Sequence, residues 1–180
     1  KAWQGFLGLL KKTRPRRPLN GIFLTVSVPD LLGQGQQERA RLADALCARL
    51  LEIDEALRTR LPIYVLVTKC DLLHGFTEYF DDLGKDARGQ VWGITLPLGA
   101  SNKAQPIQEL APHLQSEMAL LVQRLNDGLI NRMQQESDGI RRSAMFSFPT
   151  QFANFTTVLG DFLNEVFVAS KFVQSPIVRG

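Results

Sequence analysis

At 180 residues with 44% apolar and 22% charged content, the chain is long enough for one large domain or two small ones around a sizeable core. Its net charge of +3 and pI near 9.1 are mild and its acidic residues are spread throughout, so the overall balance does not point to nucleic-acid or membrane binding. Cys47 and Cys70 lack Cys-x-x-Cys spacing and read as reduced thiols, and no apolar run approaches the ~20 residues needed to span a bilayer.

From the start, Lys1 to Lys12 places Trp3, Phe6, Leu7 and Leu10 on one helical face and ends in two lysines that suit a helix C-terminus. Thr13 to Pro18 is a stiff basic connector, read as a solvated loop in preference to a phosphate or lipid-headgroup site. Leu19 to Val28 is the first buried strand, ending at Pro29-Asp30. After a Gly/Gln loop, Leu42, Leu46, Leu50, Ile53 and Leu57 recur every three or four positions and predict a helix to about Arg60. The apolar, β-rich run from Leu61 then forms a second strand. Strand, helix, strand at this spacing is a right-handed crossover and makes the two strands parallel.

That second strand stops at Thr68-Lys69-Cys70-Asp71, which falls at the carboxyl end of a parallel strand, where α/β sheets bind ligands. An Asp two residues after a Lys can accept two hydrogen bonds from the N1 and N2 edge of guanine while the Lys stem lies along the base. The tetrapeptide resembles the Asn/Thr-Lys-x-Asp element of GTPases. Four-residue matches are common, so Lys69 and Asp71 read also as a solvated strand-end pair capping the next turn, and on the tetrapeptide alone that reading weighs more.

Gly75 to Gly89 predicts a short helix with Phe76, Tyr79, Phe80 and Leu83 on one side. Glu78, Asp81, Asp82 and Asp86 on the other side, near only His74, read as a solvated face in preference to a metal site. Val91 to Leu98 is the third strand candidate, followed by a small-residue loop holding Ala100 and Ser101. From about Gln105 the pattern is helical. Leu114, Met118, Leu121, Leu125, Leu129 and Met133 form one stripe, introduced by Pro106 and Pro112, and a second helix after Pro149 carries Phe152, Phe155, Leu159, Phe162 and Phe167. Such stripes read as core or docking faces before cofactor boxes. Residues 1–104 thus read as an α/β domain and 105–180 as an all-helical extension.

No Gly-x-x-x-x-Gly-Lys-Ser/Thr loop, zinc-ligand cluster or Gly-x-Ser-x-Gly elbow occurs, so hydrolysis by this chain alone is not expected. A collinear series of motifs runs through Trp3-Gln-Gly-Phe-Leu, Arg14-Pro-Arg-Arg-Pro-Leu-Asn-Gly21, Thr25-Val-Ser-Val-Pro-Asp-Leu-Leu32 and Pro62 to Leu73. It continues through Gln90-Val-Trp-Gly93, Phe148-Pro-Thr-Gln-Phe152 and Ser175 to Gly180. Over nearly its whole length the chain resembles the IcmF/TssM proteins of the type VI secretion membrane complex, which reverses the weighting of the Thr-Lys-x-Asp element.

The resemblance implies the second half of a P-loop NTPase, GTPase-like parallel sheet on the cytoplasmic face of the bacterial inner membrane, in a multi-pass membrane protein. The phosphate-loop half would precede Lys1 and would cover the Ile22 to Val28 strand, which is otherwise an exposed edge. Base recognition would fall to Thr68, Lys69 and Asp71, with Ala100 and Ser101 supplying backbone groups. The cofactor implied for the parent protein is GTP or ATP with Mg²⁺, with none expected on this chain alone. The implied partners are the inner-membrane accessory subunit, baseplate proteins and the upstream half of the same domain. The implied role is a scaffold. A working NTPase that drives assembly is the alternative, and a free-standing regulatory GTPase fits less well.

Overall fold

The computed structural model describes residues 2–96, 107–167 and 177–179. In chain order these form α1 (Ala2–Thr13), β1 (Ile22–Ser27), α2 (Val28–Leu32), α3 (Gln36–Leu57), β2 (Pro62–Thr68) and α4 (Phe76–Phe80). They continue with α5 (Lys85–Arg88), α6 (Ile107–Gln135), α7 (Gly139–Phe167) and β3 (Ile177–Val178). Most of the described chain is helical, and the strands make one small parallel sheet in the order β1-β2-β3.

The predicted crossover is present. β1 and β2 pair in parallel from Ile22 opposite Ile63 to Ser27 opposite Thr68, with α3 between them. Leu24, Val26 and Ile63 are buried on one face of the sheet. On the other face Phe23, paired with Tyr64, is 71% exposed, and Leu66, opposite Thr25, is 43% exposed. A strand expected to be buried therefore covers only one face. β1 also has no strand on its outer edge among the described residues.

Helix α7 organises the core through one broad apolar stripe at helical spacing, while Ile140 and Phe146 off that stripe are exposed. Phe148, Phe155, Phe162 and Phe167 are all at most 2% exposed, in one cluster with Leu24 and Val26 of the sheet, Leu50 of α3 and Leu121 and Leu125 of α6. So wide a stripe gives several elements a surface to pack on, and α2, α3, α4 and α6 all pack on it. The core is thus continuous across the expected boundary near residue 104, which itself lies outside the described residues. A smaller cluster of Leu7, Ile53, Leu57 and Leu61 fastens α1 to α3, whereas Phe6, expected on the same face, is half exposed.

Three expectations are corrected. Residues 91–96 form no strand, and Leu98 lies outside the described residues. Trp92 instead packs against Phe152 at 5.0 Å and edge-on to Phe80 at 5.2 Å between ring centroids, and this aromatic contact draws the segment onto the helices. The third strand is β3, parallel to β2 with Ile177 opposite Pro62, so the C-terminal part is not all helix. Leu96 still touches the sheet edge, its N–H donating to the Arg179 carbonyl at 2.8 Å.

The second correction concerns the helix expected over Gly75 to Gly89, which breaks into α4 and α5. Arg88 ties the break by donating to the carbonyls of Leu83 at 2.8 Å and Asp81 at 2.7 Å. Third, Pro149 lies inside α7 instead of ahead of it. Its missing N–H and ring cost a helix ~3 kcal/mol. Burial of Pro149 itself and of its neighbours Phe148 and Phe152 offsets that cost, which local propensity cannot register.

Candidate functional site

β2 carries the Thr-Lys-x-Asp element to the carboxyl end of the sheet, as predicted. The Thr68 hydroxyl donates to the Val26 carbonyl at 3.3 Å, tying the end of β2 to β1. Lys69 then takes a left-handed conformation, φ 60° and ψ 35°, which is uncommon for a residue with a Cβ and costs ~1–2 kcal/mol. The sharp turn continues as a 3₁₀ helix over Cys70–Leu72, closed by Leu72 N–H donating to the Lys69 carbonyl at 3.1 Å.

Lys69 and Asp71 are both exposed, and neither forms an ion pair or side-chain hydrogen bond with a described residue. The turn has no side-chain cap, so the pair is solvated without capping anything. Asp71 therefore keeps both carboxylate oxygens available as acceptors. Burial, and next the Asp71 charge, push the half-buried Cys70 thiol above its ordinary pKa, making it a poor nucleophile at neutral pH.

The neighbouring strand end contributes Ser27 and Asp30. The Ser27 hydroxyl donates to the Asp30 carboxylate at 2.6 Å and accepts from the Asp30 N–H at 3.3 Å, which caps the N-terminus of α2. Ser27, opposite Thr68 in the register, is the buried polar residue of the sheet. Strand pairing thus brings Thr68, Lys69 and Asp71 beside Ser27 and Asp30. Ala100 and Ser101, expected to complete the base site, lie outside the described residues.

Asp81, Asp82 and Asp86 are exposed, as expected of a solvated face, but two of them also make ion pairs. Asp81 pairs with Arg141 at 2.7 Å, Asp82 pairs with Arg132, and Arg141 also binds Glu136 at 2.7 Å, so these carboxylates clamp α4 to α6 and α7. The Asp138 backbone N–H, then Arg141, hold the Glu136 carboxyl below its usual range. Among the described residues no group of His, Cys, Asp and Glu could hold a metal ion.

Sequence reasoning missed a concave feature elsewhere, a cavity of about 680 Å³ between α4, α5, residues 90–93 and α6. Tyr79, Phe80, Trp92, Leu121 and Leu125 supply apolar lining, and Arg88, Arg124 and Arg132 add three cations. Arg124, Gly128 and Arg132 are spaced four apart beside the Leu121/Leu125/Leu129 stripe, and that spacing was the available signal.

The chain is 46% identical over 180 residues to the type VI secretion system component TssM1 of Pseudomonas aeruginosa, matching 99% of this chain but 16% of that protein's length. No solved structure matches it. The model of the IcmF-related N-terminal domain matches residues 1–180, so the chain belongs to the IcmF-related N-terminal domain family.

Proposed function

We propose that the chain is a scaffold domain of a type VI secretion membrane-complex protein, docking the inner-membrane accessory subunit and baseplate proteins on the cytoplasmic side. The observation that carries it is the 46% identity to TssM1, sustained along the whole chain. The parallel β1-β2 crossover favours a P-loop NTPase-like sheet, whose phosphate-loop strand would lie on the open edge of β1. No candidate span is present among the described residues, since no helix there is long and apolar enough to cross a membrane. The test is co-purification of the full-length protein with baseplate and accessory-subunit proteins. Replacing these 180 residues by an unrelated domain should abolish it together with secretion, and retained co-purification and secretion would refute the scaffold reading.

A second reading is supported by the unpartnered Asp71 carboxylate and the left-handed Lys69 at the end of β2. Any nucleotide on the full-length protein, with Mg²⁺ on its phosphates, is then guanine-type and read by Thr68, Lys69 and Asp71. Asp71→Ala removes the acceptors for the base edge at ~1–3 kcal/mol, or about tenfold to a hundredfold in affinity. Titration with labelled GTP and ATP checks it, and equal affinities or indifference to Asp71→Ala would exclude guanine recognition. Secretion that survives Asp71→Ala while GTP binding is lost would favour the scaffold over a nucleotide-driven assembly step.

A further inference from the structure

The cavity beside α4 carries an inference that nothing in the Thr-Lys-x-Asp site requires. Its volume, about 680 Å³, is in the ~300–1,000 Å³ range of binding pockets. Aromatic rings form its apolar side, with Phe80 5.2 Å and Phe76 6.2 Å from Trp92 between centroids. These rings are held from below, since the Tyr79 hydroxyl donates to the Leu125 carbonyl at 2.6 Å and Phe148 packs 5.7 Å from Phe80. A preorganised apolar wall loses little entropy when it is covered. At the mouth Val91 is fully exposed and Trp92 is 41% exposed, both large apolar groups in water. The indole N–H of Trp92 donates to no described residue.

The cations distinguish this pocket from a mere packing gap. Arg132 is spent: it pairs with Asp82, donates to the Tyr79 carbonyl at 3.0 Å, and stacks 4.8 Å from the centre of the Tyr79 ring. Arg88 is likewise held by the carbonyls of Leu83 and Asp81. Arg124 is exposed, lines the cavity, and makes no hydrogen bond or ion pair with a described residue. Of the described lining residues three are cationic and only Asp81 is anionic, and Asp81 is already engaged by Arg141 and Arg88. The lining therefore offers a free guanidinium beside an apolar wall.

We propose that this pocket docks a partner-protein segment carrying an aromatic or large aliphatic side chain within one helical turn of an Asp or Glu. The apolar group would sit against Trp92 and Phe80 and cover Val91, and the carboxylate would take the Arg124 guanidinium in a two-pronged hydrogen bond. A phosphorylated segment without an apolar side chain would leave the wide apolar wall uncovered, and a purely apolar segment would leave Arg124 desolvated without a partner. The inference deepens the docking reading above and rests on it.

A random peptide library displayed on phage, selected against the full-length protein, tests the pocket without any secretion component. Enriched peptides should share an apolar residue with an acidic residue three or four positions away. Their affinity should fall about tenfold or more on Arg124→Glu, and again on Val91→Asp. Both positions are exposed, so circular dichroism should be unchanged where Trp92→Ala risks unfolding. Absence of enrichment, peptides without carboxylates, or peptides that bind Arg124→Glu and Val91→Asp as well as the parent would overturn the proposal. The co-purification assay fails separately: type VI partners and secretion retained after replacement of these 180 residues, with intact acidic-peptide selection, would refute the scaffold role and leave the pocket chemistry standing.

Discussion

The tightest steric requirement in the described structure is at Gly75, and it yields a sharp prediction for Gly75→Ala. Gly75 has φ 83°, and a Cβ built there would lie 2.2 Å from the Ala144 carbonyl oxygen, 2.8 Å from its carbon and 3.0 Å from the Phe148 Cβ. The first two are backbone atoms of α7, so no side chain can rotate away. An alanine carries ~1–2 kcal/mol for the left-handed conformation. Separating α4 from α7 adds ~1–3 kcal/mol, as overpacking does in other cores, because Phe148 is fully buried against Phe76 and Tyr79. Together these give about 2–5 kcal/mol, a large part of a typical total of ~5–15. For a chain of this size that lowers Tm by roughly 4–20 °C. Urea denaturation followed by circular dichroism measures it, with Gly5→Ala and Gly160→Ala as controls. Both control glycines lie in helices with open space at the Cβ position, so alanine there should be neutral or stabilise by up to ~1 kcal/mol. A Gly75→Ala cost below about 1 kcal/mol, at unchanged m-value, would refute the steric reasoning.

Phe155→Asp or Phe162→Asp should unfold the chain and not merely weaken docking, because both rings are at most 2% exposed; loss of the helical circular dichroism signal at 25 °C checks this. Phe23→Thr, on the open face of the sheet, should leave stability within ~1 kcal/mol while lowering self-association in sedimentation, since Phe23 is 71% exposed. Cys70 should alkylate with iodoacetamide more slowly than a free thiol at pH 7.5, and Asp71→Asn should speed it by removing the charge that helps raise its pKa. Glu136 has a lowered folded-state pKa, so its contribution to stability is present above the unfolded carboxylate pKa and lost as pH falls through the folded one. Glu136→Gln should flatten stability against pH in that acid window, and an unchanged profile in urea melts across it would exclude the coupling.

What the sequence determined by itself was local and periodic. The alternating and helical spacing of Ile22 to Val28, Leu42 to Leu57 and Leu61 to Thr68 sufficed for a parallel crossover, because a run of one period has few ways to bury its apolar side. The Thr68 to Asp71 element was legible for the same reason, as a polar stop to an apolar strand. Tertiary structure alone decided the rest. Val91 to Leu96 has strand composition, yet the segment forms no strand and Trp92 packs against Phe80 and Phe152. Ile177 and Val178, too short to register as a strand, become one because β2 offers an edge to them. Pro149 stays in α7 because burial outweighs its local penalty. Arg132 and Arg124, indistinguishable as surface arginines in the sequence, differ because contacts from distant α4 and its loop engage only the first. Such differences arise from long-range packing, whose partners no window of neighbouring residues contains.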